Sequence, residues 1–337
     1  MSEIRFDRIS NNYVIIAPER LHRPNMPTRE SLENDTGKCP FCEGHEERTP
    51  PEIFAMRENA ANAKGWKTRV IPNLYKAVQI EETNASERDG IFEYFHGFGA
   101  HEVLIDTPCH TCSMEMLDVA EIENWLRTMI IRLEDLSQDK RLVSLNIFKN
   151  SGKNAGATQS HPHTQLIALP IMPTSALEFL KRNQEYYALH ARGIVEDMVH
   201  NEQKAQTRVI EENDDFIAFC PYASAFSFEV MIAPLKNLAS LHRCSRDELL
   251  RLAKTIKSVF TMLPQQLGVF DYNIGFYLAP LNKNFENEHY MDDIEENFRF
   301  YIRIMPRIYT LAGFETTTGM MINSVAPEYC AQLLRGE

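Results

Sequence analysis

The chain has no apolar run approaching the length needed to cross a bilayer. Its first residues, Met1-Ser2-Glu3-Ile4-Arg5-Phe6, lack the apolar stretch of a secretory leader. Positive charge is scarce: 35 Lys and Arg stand against 47 Asp and Glu, a net charge of −12. That balance argues against a general nucleic-acid binder, which needs a basic face. An anionic substrate would have to be met by Arg and Lys gathered locally. Cysteine is sparse as well. Seven cysteines, unevenly spread over 337 residues, do not make a disulfide framework and read as thiols or metal ligands. These absences lead us to expect a cytoplasmic protein with neither membrane nor nucleic acid among its partners.

What is present is an ample core, 44% hydrophobic residues, in a length that suits one large domain or two medium ones. The chemistry is most concentrated in Ser160-His161-Pro162-His163-Thr164-Gln165-Leu166-Ile167-Ala168-Leu169. Its apolar end reads as a strand, and alternation along it puts His161, His163 and Gln165 on one face. Pro162 cannot donate a ladder hydrogen bond, which suggests a strand start or a sheet edge. Residues 145–150 read as a second strand, and 151–158 between them form a small, polar, glycine-bearing loop. Such a loop lets backbone N–H groups close around an anion. A phosphate-binding turn feeding two imidazoles points to phosphorus chemistry. The plainer alternative is two exposed strand histidines beside an ordinary turn.

Cys39-Pro40-Phe41-Cys42 is a Cys-x-x-Cys knuckle able to chelate a metal; Pro50-Pro51 and charge follow it, unlike the helix that a redox motif usually opens. A second pair flanks a histidine in Cys109-His110-Thr111-Cys112, and by spacing alone a four-cysteine site is credible. Residues 12–18, 69–78 and 101–106 read as strands and 80–92 as a charged loop. Leu117, Ile122, Trp125, Leu126, Met129, Ile130 and Leu133 recur at helical spacing and read as core. Strand, helix, strand, loop and histidine strand complete an α+β unit over 1–172, followed by a helical connection over 173–207. Residues 208–337 echo the first unit. Phe228-Glu229-Val230-Met231 parallels His101-Glu102-Val103-Leu104, Tyr272-Asn273-Ile274 parallels Leu145-Asn146-Ile147, and a Ser245–Glu248 capping box opens the helix between. The second unit keeps the pattern without the histidines.

His161-Pro162-His163-Thr164-Gln165 resembles the His-Pro-His-Gly-Gln signature of the galactose-1-phosphate uridylyltransferases, a branch of the histidine-triad superfamily. Pro18-Glu19-Arg20-Leu21-His22-Arg23-Pro24 is similar to the family's opening, Pro108-Cys109-His110 to its Pro-x-His element, and Ala312-Gly313-Phe314-Glu315 to its C-terminal segment. The resemblance implies an α+β fold: a tandem pair of histidine-triad-like units, with antiparallel sheets and flanking helices. It implies one structural zinc on Cys39, Cys42, His110 and His161, with Cys109 and Cys112 as ordinary small residues beside it. Arg20 and Arg23 would meet substrate phosphate, Asn73 the ribose, Asn150, Gly156 and Thr158 the transferred group, and Glu315 the sugar hydroxyls. A metal-bound imidazole has its lone pair committed, so zinc on His161 leaves His163 as nucleophile and Gln165 as hydrogen-bond donor to the phosphoryl oxygen. The expected substrates are a nucleoside diphosphate sugar and a sugar 1-phosphate or phosphate, with UDP-hexose as donor and a homodimer as the working form. Thr164 departs from the family's glycine and is similar to plant-type ADP-sugar phosphorylases. Adenylyl transfer from ADP-sugars or dinucleoside polyphosphates is therefore the alternative. A nucleotide-binding zinc protein without turnover is the third reading, disfavoured by the intact His163 and Gln165.

Overall fold

The computed structural model describes residues 2–22, 37, 39–283 and 288–337. Strands β1 (Glu3–Asp7) and β2 (Asn12–Ile16) form a hairpin. Then come β3 (Phe54–Met56), β4 (Thr68–Pro72), the hairpin β5 (Ser86–Asp89) and β6 (Phe92–Phe95), and β7 (Ala100–Ile105). Helix α1 (Val119–Leu136) leads to β8 (Ser144–Ser151) and β9 (His163–Leu169). Helices α2 (Thr174–His190) and α3 (Ile194–Ala205) precede β10 (Val209–Glu212), β11 (Phe216–Phe219) and β12 (Val230–Pro234). Helix α4 (Arg246–Leu267), β13 (Tyr272–Tyr277), α5 (Ile294–Asn297) and β14 (Tyr301–Pro306) follow. The chain closes with α6 (Gly313–Thr318), β15 (Met321–Asn323) and α7 (Pro327–Arg335).

Ten strands join one sheet in the order β10-β11-β12-β14-β13-β8-β9-β7-β4-β3. The order reads the same from the centre outwards: β8-β9-β7 on one side, β13-β14-β12 on the other. The two halves meet through the antiparallel pair β13·β8, Asn273 opposite Asn150. The fold is thus α+β with a large antiparallel sheet. Helices α1 and α4 pack against each other over one of its faces. Their sequences dictate this. Each is opened by a capping box, Asp118 with Glu121 and Ser245 with Glu248, and each buries a stripe: Ile122, Trp125, Leu126, Met129 and Leu133 in α1; Leu249, Leu252, Ile256, Val259 and Phe260 in α4. These meet Leu104, Ile147, Leu166, Ile274 and Ile304 from alternate sheet positions in one core. Each such side chain contributes about 1.5–3 kcal/mol on burial.

Two details differ from the sequence pattern. Residues 86–95 are not a loop but the hairpin β5–β6, and all eight of its strand residues are exposed, so no apolar alternation marks them. Pro162 stands before the start of β9, which is a central strand between β8 and β7, not an edge. Its missing N–H falls outside the ladder, and its carbonyl accepts from Asp106 N (3.1 Å).

Candidate active site and metal centre

On the face of β9 away from α1 and α4 lie His163 and Gln165, and the register sets Ile105 and Val103 of β7 opposite them. Phe148 of β8 pairs with Gln165, which carries Asn150 to the level of His163. His161 is fully buried and His163 only 6% exposed, which removes the reading of two exposed strand histidines. Burial lowers the His163 ring from the ordinary histidine range, which favours its neutral form. Its Nδ1 lies 2.9 Å from the His161 carbonyl, which can only accept, so Nδ1 carries the proton and Nε2 keeps the lone pair. Phe41 of the knuckle stands edge-on to the ring at 5.6 Å.

Beneath the strand, facing α1, a buried network holds it in place. Lys149 Nζ pairs with Asp106 Oδ2 at 2.6 Å and also donates to the His163 carbonyl at 3.3 Å. Thr164 Oγ1 donates to Asp106 Oδ1 (2.8 Å) and accepts from Trp125 Nε1 (2.9 Å). This gives the departure from the glycine signature a physical reason: the hydroxyl satisfies an indole N–H and a carboxylate that no water reaches. Thr164→Val keeps the shape and removes the hydroxyl. It is expected to lower stability by about 1–3 kcal/mol in urea titrations by leaving the Trp125 donor unmet.

The thiols of Cys39 and Cys42 and the rings of His110 and His161 form one group whose ligand atoms all lie within 4.8 Å of one another. His161 Nε2 donates to the Thr107 carbonyl (2.8 Å), leaving Nδ1 toward Cys42 Sγ (3.7 Å) and Cys39 Sγ (3.8 Å). His110 turns Nδ1 to Cys42 Sγ (3.2 Å) and holds Ser160 Oγ at 3.0 Å through Nε2. A tetrahedral metal with sulfur and nitrogen ligands sets those atoms about 3.5 Å apart. Burial pushes His161 down to about 4, so it is a neutral donor. Burial and the adjacent Cys39 push the Cys42 thiol up to about 11; a cation is what would hold these sulfurs ionised. The residues fit a metal ion. Cys109 and Cys112 take no part: a disulfide joins them across a Cα separation of 5.5 Å, correcting their reading as thiols or ligands. The Cys-x-x-Cys turn around His110 brings these Cα atoms into disulfide range.

Two side-chain amides flank His163. Gln165 Oε1 lies 3.0 Å from His101 Nε2, while His101 Nδ1 accepts from Ala77 N (3.1 Å). Nε2 lies 3.0 Å from Asn73 Nδ2 as well, so the His101 ring bridges the two side-chain amides, Gln165 on one side and Asn73 on the other. Asn73 packs against the same His101 ring at 3.0 Å and accepts from Tyr75 N through Oδ1. On the other side Asn150 Oδ1 accepts from Asn273 Nδ2 at 2.8 Å.

The sequence matches the model of the galactose-1-phosphate uridyl transferase N-terminal domain over residues 1–173 and that of its C-terminal domain over residues 179–299. The chain belongs to the galactose-1-phosphate uridylyltransferase family. Its relatives include ADP-glucose phosphorylase of Arabidopsis thaliana, 30% identical over 99% of this chain and 92% of that one. Galactose-1-phosphate uridylyltransferase of Thermotoga maritima is 26% identical over 99% and 98%. The crystal structure of the Arabidopsis ADP-glucose phosphorylase with bound ADP-glucose superposes with a TM-score of 0.83 at 28% identity, covering 100% of this chain and 99% of that one. Family and relatives are nucleotidyltransferases, and this chain is an enzyme of that class.

Within this uridylyltransferase-family fold the other expected residues divide. Gly156 and Thr158 lie on the loop after β8, which is pinned from the second half: Asp271 Oδ2 accepts from Asn154 N (2.9 Å) and Asn273 Nδ2 donates to the Ala155 carbonyl (2.8 Å). Gly152 starts the loop at φ +85°, where a Cβ would meet Asp271 Oδ1 at 1.8 Å, so only glycine fits. Arg20 sits on the turn Pro18–His22, half-buried, with no hydrogen bond or ion pair to the histidine strand among the described residues. Arg23 lies outside the described residues. Glu315 caps its own helix α6 through Ala312 N (3.1 Å) and is not joined to His163 within this chain. His101, Asp106, Lys149 and Asn273 are site-supporting residues that sequence reading missed. Only Lys149, a charge inside an apolar strand pattern, carried a signal.

Proposed function

We propose that this enzyme transfers an adenylyl group from an ADP-sugar to phosphate through a covalent intermediate on His163. The observation that carries the covalent step is the His163 Nδ1–H bond to the His161 carbonyl, which leaves the Nε2 lone pair free. Nε2 attacks the α-phosphorus, the bond from that phosphorus to the bridging oxygen breaks, and sugar 1-phosphate leaves. A phosphate oxygen then attacks the same phosphorus, the P–N bond breaks, and ADP is released. Gln165 and Asn150 donate amide hydrogen bonds to the non-bridging oxygens, and the loop with Gly156 and Thr158 receives the phosphate. Asn73 takes the ribose, and Arg20 with Arg23 offsets the diphosphate charge.

The thiolate and imidazole donors suit zinc, which closes its coordination with four protein ligands and supplies structure, not an open reactive position. In a homodimer Glu315 and Arg23 would serve the partner's site. The choice of an ADP-sugar rests on the likeness to the Arabidopsis enzyme over the whole chain. UDP-hexose as donor is the second reading, favoured by the family models and the Thermotoga relative.

Nucleotide-labelled ADP-glucose and UDP-glucose decide between them. Acid-labile protein label from ADP-glucose, discharged as ADP by phosphate, is the expected result. Label from UDP-glucose alone, discharged by galactose 1-phosphate, establishes the second reading. Label from neither leaves a nucleotide-binding protein without turnover.

A further inference from the structure

The second half of the chain carries no strand histidine, yet its strand β13 lies directly against the strand that bears Asn150. Asn273 is the point of contact. Its orientation is fixed from two sides. Nδ2 lies 2.8 Å from the Ala155 carbonyl, a group that only accepts, so this end of the amide is the nitrogen. Oδ1 faces Arg307 Nη1 at 3.4 Å, and a guanidinium only donates. The same Nδ2 therefore donates to Asn150, and the atom it meets at 2.8 Å is Oδ1. Strand β8 lies between β13 and β9. An Asn150 amide whose oxygen is held toward β13 has its NH2 turned toward β9 and His163, and that NH2 has no partner among the described residues.

Arg307 is unusual in the fold. Arg5, Arg69, Arg132, Arg208, Arg299 and Arg303 are each held by a carboxylate. Among the described residues Arg307 has none: it lies over the Phe226 ring at 4.9 Å, its buried Nε unpartnered there, and burial alone lowers it from the usual arginine range. A guanidinium kept without a counter-charge at this end of the sheet makes sense if its task is to hold the oxygen of Asn273.

We infer that Asn273, backed by Arg307, is a positioning residue that fixes the amide of Asn150 as a hydrogen-bond donor to the transferring phosphoryl group. This rests on the nucleotidyl-transfer reading above. The second half of the chain, without reacting groups of its own, thereby sets the polarity of a group beside the nucleophile.

The test separates orientation from catalysis. In Asn273→Asp the new carboxylate accepts from Arg307 and from the NH2 of Asn150, so Asn150 reverses and presents Oδ1 to the phosphoryl group. Neutron diffraction of deuterated wild type and Asn273→Asp, both ligand-free, reads the Asn150 amide directly. The expected result is reversal in the variant; an unchanged Asn150 overturns the inference. In transfer assays with ADP-glucose and phosphate, kcat should fall roughly tenfold or more with KM little changed, as when a donor to developing charge is lost. The loss should be clearly smaller in an Asn150→Ala background, where only the anchor of Asn273 on the Ala155 carbonyl is left to lose. Losses that add in the double variant mean a merely structural role and overturn it, as does full activity in Asn273→Asp. Should the Asn273→Asp variant not fold, Asn273→Ala carries the same kinetic expectation of a loss that is clearly smaller without Asn150. If the wild type transfers no nucleotide from ADP- or UDP-glucose, the functional reading falls, while the diffraction result still decides the orientation of Asn150.

Discussion

Replacing His163 with glycine is expected to lower nucleotidyl transfer by at least about 10⁴-fold, the scale on which covalent catalysts fail without their nucleophile. The fold should persist. The strand is held by Lys149, Asp106, Thr164 and Trp125 from beneath, and none of these bonds uses the His163 ring. The metal should persist as well, because His161 and not His163 faces the two sulfurs. The variant should therefore keep its urea midpoint and metal content while the acid-labile label disappears. A preformed nucleotidyl-imidazolide added to His163→Gly should restore slow turnover, since the cavity left by the ring receives the activated group. Full transfer in the glycine variant, or label mapped to another residue, would refute the assignment.

Loss of the metal is the second large effect. On the proposed zinc site, Cys39→Ala and His161→Ala should each bring the metal content from an expected one zinc per chain to near none, and stability should fall on the order of 4 kcal/mol. Among the described residues the knuckle is otherwise tied to the rest of the chain by Glu43, which accepts from Gly65 N (2.6 Å), by Glu46, which accepts from Trp66 Nε1 (2.9 Å), and by Arg69, which donates to the Glu46 carbonyl (3.4 Å). Without the metal, one buried and one half-buried cysteine and two buried rings face one another with no shared charge to order them. Activity should fall with stability, because Phe41 of the knuckle packs on His163. Cys112→Ala is the control. It breaks the disulfide but removes no ligand, and its zinc content should stay at one per chain as measured by atomic emission. Zinc lost from Cys112→Ala and retained by His161→Ala would restore the four-cysteine site.

The features legible in the sequence were those whose chemistry is local. The histidine strand announced itself by alternation, helices α1 and α4 by apolar stripes, α4 also by its capping box, and the repeat by paired strand motifs. The metal quartet became legible through the resemblance, since spacing alone left Cys109 and Cys112 as equal candidates. What stayed hidden were pairings between distant segments. Asp106 and Lys149 are 43 positions apart and Asn150 and Asn273 are 123 apart, and no periodicity connects them. His101 read as an ordinary strand residue because its meaning lies in what it does to Gln165. The hairpin β5–β6 hid for the opposite reason: with every strand residue exposed, nothing in its side-chain pattern distinguishes ladder from loop. The disulfide escaped because two cysteines around a histidine look the same whether they bind metal or each other.

The seam between the halves has a mechanical consequence. Enzymes built from two lobes often close like a jaw around a hinge, with substrate entry and product exit governed by the opening angle. Here the joint is a run of five facing residue pairs, Tyr272 with Ser151 through Phe276 with Ile147, and the ladder continues across it without interruption. Bending the lobes apart would mean breaking that ladder beside the strand of His163 and tearing the loop anchors at Asp271 and Asn273 with it. The floor of the site is in effect a rigid plate. On the proposed reading, traffic of sugar phosphate and nucleotide would be controlled by whatever lies over this face of the sheet, and the timing of release would belong to those walls, not to the floor.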